Sequence, residues 1–211
     1  MVNILSKAFL AALLGFLSAE LGHTKPQNKP PIHNPQKNQW IKLQHCEIDT
    51  ALAFDGDSFT LTHKNKKISI RLYFVDAPET KNDSRFPNRI KEQASHFYLP
   101  SQRVQEIGEA AKRFTESLLK RQYFTVYTLQ EDARGTSKSP RIYAFVETSQ
   151  GDLAELLTKN GLCIVKGFRK RPPFWGGSEY QYQLYLETLA QKARQEKKGG
   201  WANTNYSPKK P

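Results

Sequence analysis

Alternating apolar and polar residues in the middle of the chain predict a run of β-strands. Residues 41–54 form an extended, mixed segment, and the Asp-Gly-Asp turn at 55–57 leads into a second strand around residues 59–62. The polar residues 63–66 then form a turn before a third strand. The alternation predicts two further strands, at 124–129 and 141–146.

The third predicted strand runs from residue 68 to residue 75 and ends before Pro78, which cannot continue it. A period of two places alternate side chains on opposite faces. One face is predicted to carry Ile68, Ile70, Leu72 and Phe74, and the other Arg71, Tyr73 and Val75.

Apolar residues at helical spacing predict three helices, at 110–119, 153–157 and 182–193. Asn160-Gly161 is a typical stop for the second of them. Five strands with helices inserted between and after them predict an α+β fold. A small five-stranded barrel is one way for such a fold to avoid unpaired strand edges.

The N-terminal segment is typical of export. Lys7 precedes an apolar run at 8–19, which is shorter than the roughly 20 residues that a membrane span needs and ends in Ser18-Ala19. We expect residues 1–19 to be a signal peptide, with an uncleaved anchor or a core helix as the alternatives. Residues 20–40 are a Pro- and Lys-rich disordered tether, residues 41–202 a folded domain, and residues 203–211 a basic tail.

Net charge and composition indicate the kind of partner and exclude one class of protein, and the cysteine content leaves two possible thiol states. Lys and Arg number 32 against 20 Asp and Glu, and the net charge of +12 suits a polyanionic partner, although it also suits a merely soluble basic protein. With 38% hydrophobic residues, the chain is not a multi-span membrane protein. The two cysteines, Cys46 and Cys163, are either bridged in an oxidising compartment or two separate buried thiols.

A group of acidic and basic residues carries the candidate chemistry. Asp57 ends a turn, and Asp76 and Glu79 lie three residues apart across a proline turn, with Arg71 just before them. Carboxylates at strand ends can share a hard cation, and an arginine beside them can hold a phosphate. The alternative is a structural ion pair of Arg71 with Asp76 or Glu79, in which case Asp55 and Asp57 only form turns.

These residues lie in segments that resemble the staphylococcal nuclease (thermonuclease) family. The resemblance is strongest at Asp-Gly-Asp-Ser-Phe (55–59) and at Arg-Leu-Tyr-Phe-Val-Asp-Ala-Pro-Glu-Thr (71–80). It covers about residues 42–201. Later segments agree in the same order, at 108–111, 141–146, 153–165 and 191–201.

The resemblance implies a five-stranded barrel of the oligonucleotide-binding type with about three helices. It also implies a monomeric, calcium-dependent nuclease that cleaves DNA and RNA phosphodiesters to 3′-phosphate and 5′-hydroxyl ends. With the signal peptide removed, we expect no stable membrane span and a secreted, periplasmic or cell-envelope location. A catalytically inactive barrel that binds nucleic acid or protein is the main rival, and a basic module bound to anionic envelope polymers is another.

The resemblance also assigns roles to residues. Calcium is expected on Asp57, Asp76 and the backbone carbonyl of Ala77, with Asp55 supporting these ligands without binding the ion. Glu79 is expected to position or deprotonate the attacking water. Two arginines are expected to hold the phosphate, Arg71 and Arg141; we choose Arg141 over Arg134 because a strand begins there.

The chain departs from the family pattern in several places, among them Ser58 and Ala77 in place of threonines and Ser139-Pro140 in place of Tyr-Gly. The 80–107 segment is longer, and its residues 89–99 predict an extra helix. The family's base-stacking tyrosines are missing, and a basic, aromatic loop at 166–177 stands in their place. This loop either binds nucleic acid or packs its aromatic rings on the barrel. The nucleic-acid-binding candidates are Lys138, Phe168, Arg169, Lys170, Arg171 and Trp175.

Overall fold

The computed structural model describes residues 39–52, 55–81, 87–135 and 139–202. The predicted signal peptide, all but the last two residues of the tether, the basic tail and Lys138 lie outside the described residues. Within the described part of the chain, no helix is both long enough and apolar enough to cross a membrane.

The strands form a closed barrel. Five of them are hydrogen-bonded in the order β3 (Lys66–Leu72), β2 (Ser58–His63), β1 (Ile41–Asp49), β5 (Phe124–Thr128) and β6 (Ile142–Thr148). Strand β3 also pairs with β6 in parallel, which closes the sheet on itself. In that closing pair, Ile70 lies opposite Ile142 and Arg71 opposite Tyr143. The predicted α+β barrel is therefore confirmed. The remaining strands are β4 (Val75–Asp76), β7 (Gly151–Asp152) and β8 (Ile164–Val165).

Four α-helices lie in the described residues, together with 3₁₀ turns at Ser101–Arg103 and Gly199–Trp201. The three predicted helices are present, and the extra helix predicted in the long 80–107 segment is α1 (Pro87–Phe97). Side-chain caps fix two helix starts: Asp152 accepts a hydrogen bond from the Glu155 N–H, and Ser178 forms a capping box with Gln181. The helices are α1 (Pro87–Phe97), α2 (Val104–Leu119), α3 (Leu153–Lys159) and α4 (Glu179–Gln195).

The third strand is shorter than predicted. It ends at Leu72, and Phe74 has φ of 66°, a left-handed conformation that is unusual for a bulky residue. The Phe74 N–H donates to the Phe168 carbonyl at 3.0 Å instead of continuing the ladder. The predicted two-face alternation is therefore wrong beyond Leu72, because Tyr73, Phe74 and Val75 are all buried. The kink sends Val75 and Asp76 into β4, which pairs with β8.

Both cysteines are buried and free. The Cys46 thiol lies 3.8 Å from His63 Nδ1, whereas the Cys163 thiol lies 3.3 Å from Thr158 Oγ1. Burial raises the pKa of the Cys46 thiol to about 11 and that of Cys163 to about 12. Of the two possibilities left open by the sequence, the structure has two separate buried thiols.

Candidate active site

The predicted acidic and basic residues come together where several barrel segments end. Asp57 immediately precedes β2, Arg71 is the penultimate residue of β3, Asp76 ends β4, and Arg141 immediately precedes β6. Because β2 and β3 pair antiparallel and β3 pairs with β6 in parallel, these positions lie at the same end of the barrel. The Leu72 N–H donates to the Asp57 carbonyl at 2.8 Å and fixes the turn beside the strand.

Arg71 lies between the two candidate metal ligands. Its Nη2 is 2.6 Å from Asp76 Oδ1 and 3.2 Å from Asp57 Oδ2. The ion pair between Arg71 and Asp76 that the sequence offered as an alternative is thus present. Since both carboxylates reach the same nitrogen atom, they are also close enough to share one small cation.

Burial makes the charged form of the Asp57 carboxylate unfavourable. Its side chain is buried, and burial raises its pKa to about 6 despite the opposing charge of Arg71. Its Oδ2 atom has no hydrogen-bond partner among the described residues, because the nearby Arg71 nitrogen is not aligned for one. The Asp57 charge in turn raises the pKa of Arg71.

Asp55 and Ala77 hold the acidic turn in place. Asp55 accepts a hydrogen bond from Thr80 Oγ1 at 3.0 Å, so that the first turn is tied to the segment after β4. The Ala77 N–H donates to the Asp57 carboxylate and favours its charged form. Asp55 thus supports the turn through this hydrogen bond, and its role beside a metal ion stays a prediction.

Helix α2 packs against two turns of the site, the Asp55–Asp57 turn and the turn at Pro78 and Glu79. A methyl group at Gly108 would lie 2.5 Å from the Pro78 carbonyl oxygen and 2.6 Å from that of Glu79, so only glycine allows this approach. One turn further along α2, Ala111 packs directly against Gly56. A methyl group added at Gly56 would lie 2.6 Å from the Ala111 Cβ. The helix therefore sets the distance between the Asp57 turn and Glu79.

Glu79 meets a residue that the sequence analysis did not single out. Its carboxylate forms an ion pair with Arg89 Nε, and Arg89 Nη2 is 2.7 Å from Asp76 Oδ1. Burial raises the pKa of Glu79, and the Arg89 charge opposes that shift. The buried Gln93 accepts from the Glu79 N–H at 3.1 Å. Both partners lie on α1, and the only sequence signal for them was the predicted helix in the long 80–107 segment.

Arg141 is held rigidly beside Arg71. Its Nη1 donates to Ser58 Oγ at 2.8 Å and its Nη2 to the Arg134 carbonyl at 3.2 Å, while its buried Nε has no partner among the described residues. Burial and the Arg71 charge lower its pKa. Arg134 instead forms an ion pair with Asp132, with 2.7 Å between Arg134 Nη2 and Asp132 Oδ2, and its side chain is 52% exposed. The choice of Arg141 over Arg134 fits this geometry.

The 166–177 loop is partly bound to the protein itself. The Phe168 ring stacks on Tyr143, with centroids 5.0 Å apart, yet remains 45% exposed. Trp175 stacks on Tyr185 of α4, with centroids 5.3 Å apart.

The basic residues of that loop differ in their partners. Lys170 pairs with Glu131 at 2.8 Å, and Arg169 donates to Gln183. Arg171 is exposed. The loop thus packs aromatic rings on the fold and still presents Phe168 and Arg171 to solvent.

Comparisons with known proteins agree with this architecture. The family model described as staphylococcal nuclease homologue matches residues 69–203, a range that includes Arg71, Asp76, Glu79 and Arg141. The chain is also similar to "Endonuclease YncB" of Bacillus subtilis (strain 168), at 26% identity over 180 residues, 85% of this chain and 72% of that protein. Because the family model covers more than half of the chain, this protein belongs to the staphylococcal nuclease homologue family.

Proposed function

We propose that this nuclease-family chain is an exported, calcium-dependent enzyme that hydrolyses DNA and RNA to 3′-phosphate and 5′-hydroxyl ends. One observation carries the proposal: two carboxylates, Asp57 and Asp76, share one arginine nitrogen beside a second fixed arginine. A cation site next to two guanidinium groups is what charge build-up on a phosphate requires.

The residues present fit a hard cation. No three Asp, Glu, His or Cys side chains form a ready-made metal cluster in the described part of the chain. The proposed donors are instead two carboxylates, Asp57 and Asp76, and the carbonyl of Ala77, all oxygen atoms of the kind that calcium prefers. The buried Asp57 Oδ2 without a hydrogen-bond partner supports this set, because a cation would compensate its charge. Calcium bound there would supply Lewis-acid polarisation of a phosphoryl oxygen.

The protein's own groups supply the remaining chemistry. Arg71 and Arg141 hold the non-bridging phosphate oxygens and stabilise the charge that grows on them. Glu79 accepts a proton from the attacking water as the new P–O bond forms, and the P–O5′ bond breaks on the opposite side. The raised pKa of Glu79 suits this role, because a base works best when its pKa approaches the working pH. The leaving oxygen then takes a proton from solvent.

An inactive binding module is less favoured. Loss of activity in such a barrel should remove at least one charged residue of the site. Asp57, Arg71, Asp76, Glu79 and Arg141 are all present.

Catalysis is tested by nuclease assays on DNA and RNA with calcium and then with a chelator. Glu79→Gln should lose activity while remaining folded. The matched control is Glu92→Gln, which removes an exposed α1 carboxylate that pairs with Lys166 at 3.5 Å. Activity that survives the chelator would contradict the calcium requirement, and an active Glu79→Gln would contradict the role of the base.

Export is a separate part of the proposal, supported by Lys7 and the apolar run at 8–19. The N-terminus of the protein recovered outside the cytoplasm should begin near Glu20. Recovery of intact Met1 from that fraction would instead favour an uncleaved anchor.

A further inference from the structure

Arg89 occupies the same oxygen atom that a cation would need. Asp76 Oδ1 receives Arg71 Nη2 at 2.6 Å and Arg89 Nη2 at 2.7 Å. The Arg89 Nε atom simultaneously pairs with Glu79. One guanidinium therefore bridges a candidate metal ligand and the candidate base.

The two arginines differ in how firmly they are held. Arg71 lies in β3, contacts both Asp57 and Asp76, and has a side chain only 19% exposed. Arg89 lies on α1, its described polar contacts are Asp76 and Glu79, and its side chain is 35% exposed. If a cation binds to Asp76, the group that can leave with least disruption is Arg89.

The charges lead to the same assignment. Three carboxylates, those of Asp57, Asp76 and Glu79, are linked through two guanidinium groups, because Arg71 contacts the first two and Arg89 contacts the last two. Like charges close together raise each other's free energy, so Arg89 stabilises the cluster before any metal arrives. A divalent ion would take over that role.

We propose that Arg89 is a resident counter-cation of the metal site, which leaves Asp76 when a divalent ion binds and thereby sets the affinity of the site. The inference rests on the proposed calcium dependence. It assigns to helix α1 the control of cation affinity, by competition for one carboxylate oxygen.

The test is isothermal titration of calcium into the full chain after removal of divalent ions. Arg89→Met removes the competing charge without adding an oxygen ligand, and Lys91→Met removes an equal charge from an exposed position on the same helix. Arg89→Met should bind calcium about tenfold more tightly than wild type, the lower end of what a neighbouring opposite charge does to proton binding by a carboxylate. Lys91→Met should stay within about twofold, because solvent screens an exposed charge.

Thermal unfolding gives a readout independent of catalysis. Arg89→Met should be less stable than wild type in chelator and should gain more from added calcium. Arg89→Lys keeps the positive charge but loses the guanidinium group that contacts Asp76 and Glu79 at once, so its calcium affinity should lie between those of wild type and Arg89→Met. This variant replaces Arg89→Met in the test if Arg89→Met does not fold. Equal or weaker calcium binding by the Arg89 variants, with wild type binding normally, overturns the inference alone. No binding by wild type or any variant overturns the calcium site itself and the inference with it.

Discussion

Substitution of Gly108 by alanine should separate activity from stability. The added methyl group would meet the Pro78 carbonyl oxygen at 2.5 Å and that of Glu79 at 2.6 Å, whereas ordinary contact begins at 3.4 Å. Because the obstacles are backbone atoms, either α2 or the Glu79 turn must move by most of that difference.

The expected magnitudes differ for the two properties. Alanine gains about 1 kcal/mol over glycine inside a helix, while overpacking costs about 1–3 kcal/mol. The free energy of unfolding should therefore fall by no more than about 2 kcal/mol. A displacement of about 1 Å at a catalytic group can lower the rate about 100-fold. We therefore expect a folded protein with a strongly reduced kcat.

The assay is kcat on a short single-stranded DNA, together with urea unfolding of the same preparation. Gly176→Ala is the matched control, because no atom lies within 4 Å of its added methyl group. A Gly108→Ala variant with wild-type kcat would refute the reasoning, since α2 would then not position Glu79.

Three further outcomes are expected. Arg141→Lys should lose about 10²–10³ in kcat through the loss of a preorganised donor, whereas Arg134→Lys stays near wild type; the reverse order of losses would contradict the choice of arginine. Burial raises the pKa of the Asp152 carboxyl from 3.8 to about 6, worth up to about 3 kcal/mol. Because the folded protein binds this proton more tightly, that stabilisation is complete below about pH 4 and is lost as the pH rises to about 6. Urea unfolding across this range should show a smaller loss in Asp152→Asn than in wild type; part of the loss remains in the variant because burial also raises the pKa of Asp57 to about 6. Thiol titration of the denatured, unreduced protein should find both Cys46 and Cys163 free; fewer than two thiols would contradict the structure.

Much of the fold could be predicted because its signals are local. The alternation of β2 and the helical spacing of α2, α3 and α4 depend on side chains close together in the chain. The kink at Phe74 could not be predicted, since neither glycine nor asparagine marks it. It depends instead on a distant hydrogen bond to Phe168.

The candidate site divides in the same way. Asp57, Arg71, Asp76 and Glu79 lie in two short runs whose resemblance to a family can be recognised. The position of Arg89 could not be predicted from its sequence, because an exposed-looking arginine on a polar helix is ordinary. Only the orientation of α1 against β4 brings its guanidinium to Asp76 and Glu79.

Closure of the barrel also sets the order in which the protein can assemble during synthesis. The β3–β6 pair joins residues 70–72 to residues 142–144, with α1, α2 and β5 between them in the chain. Such non-local pairing forms slowly and leaves β3 as an open edge until β6 has emerged. Arg71 and Arg141 are brought together only by that pairing, so a chain synthesised only as far as β5 has no arginine pair.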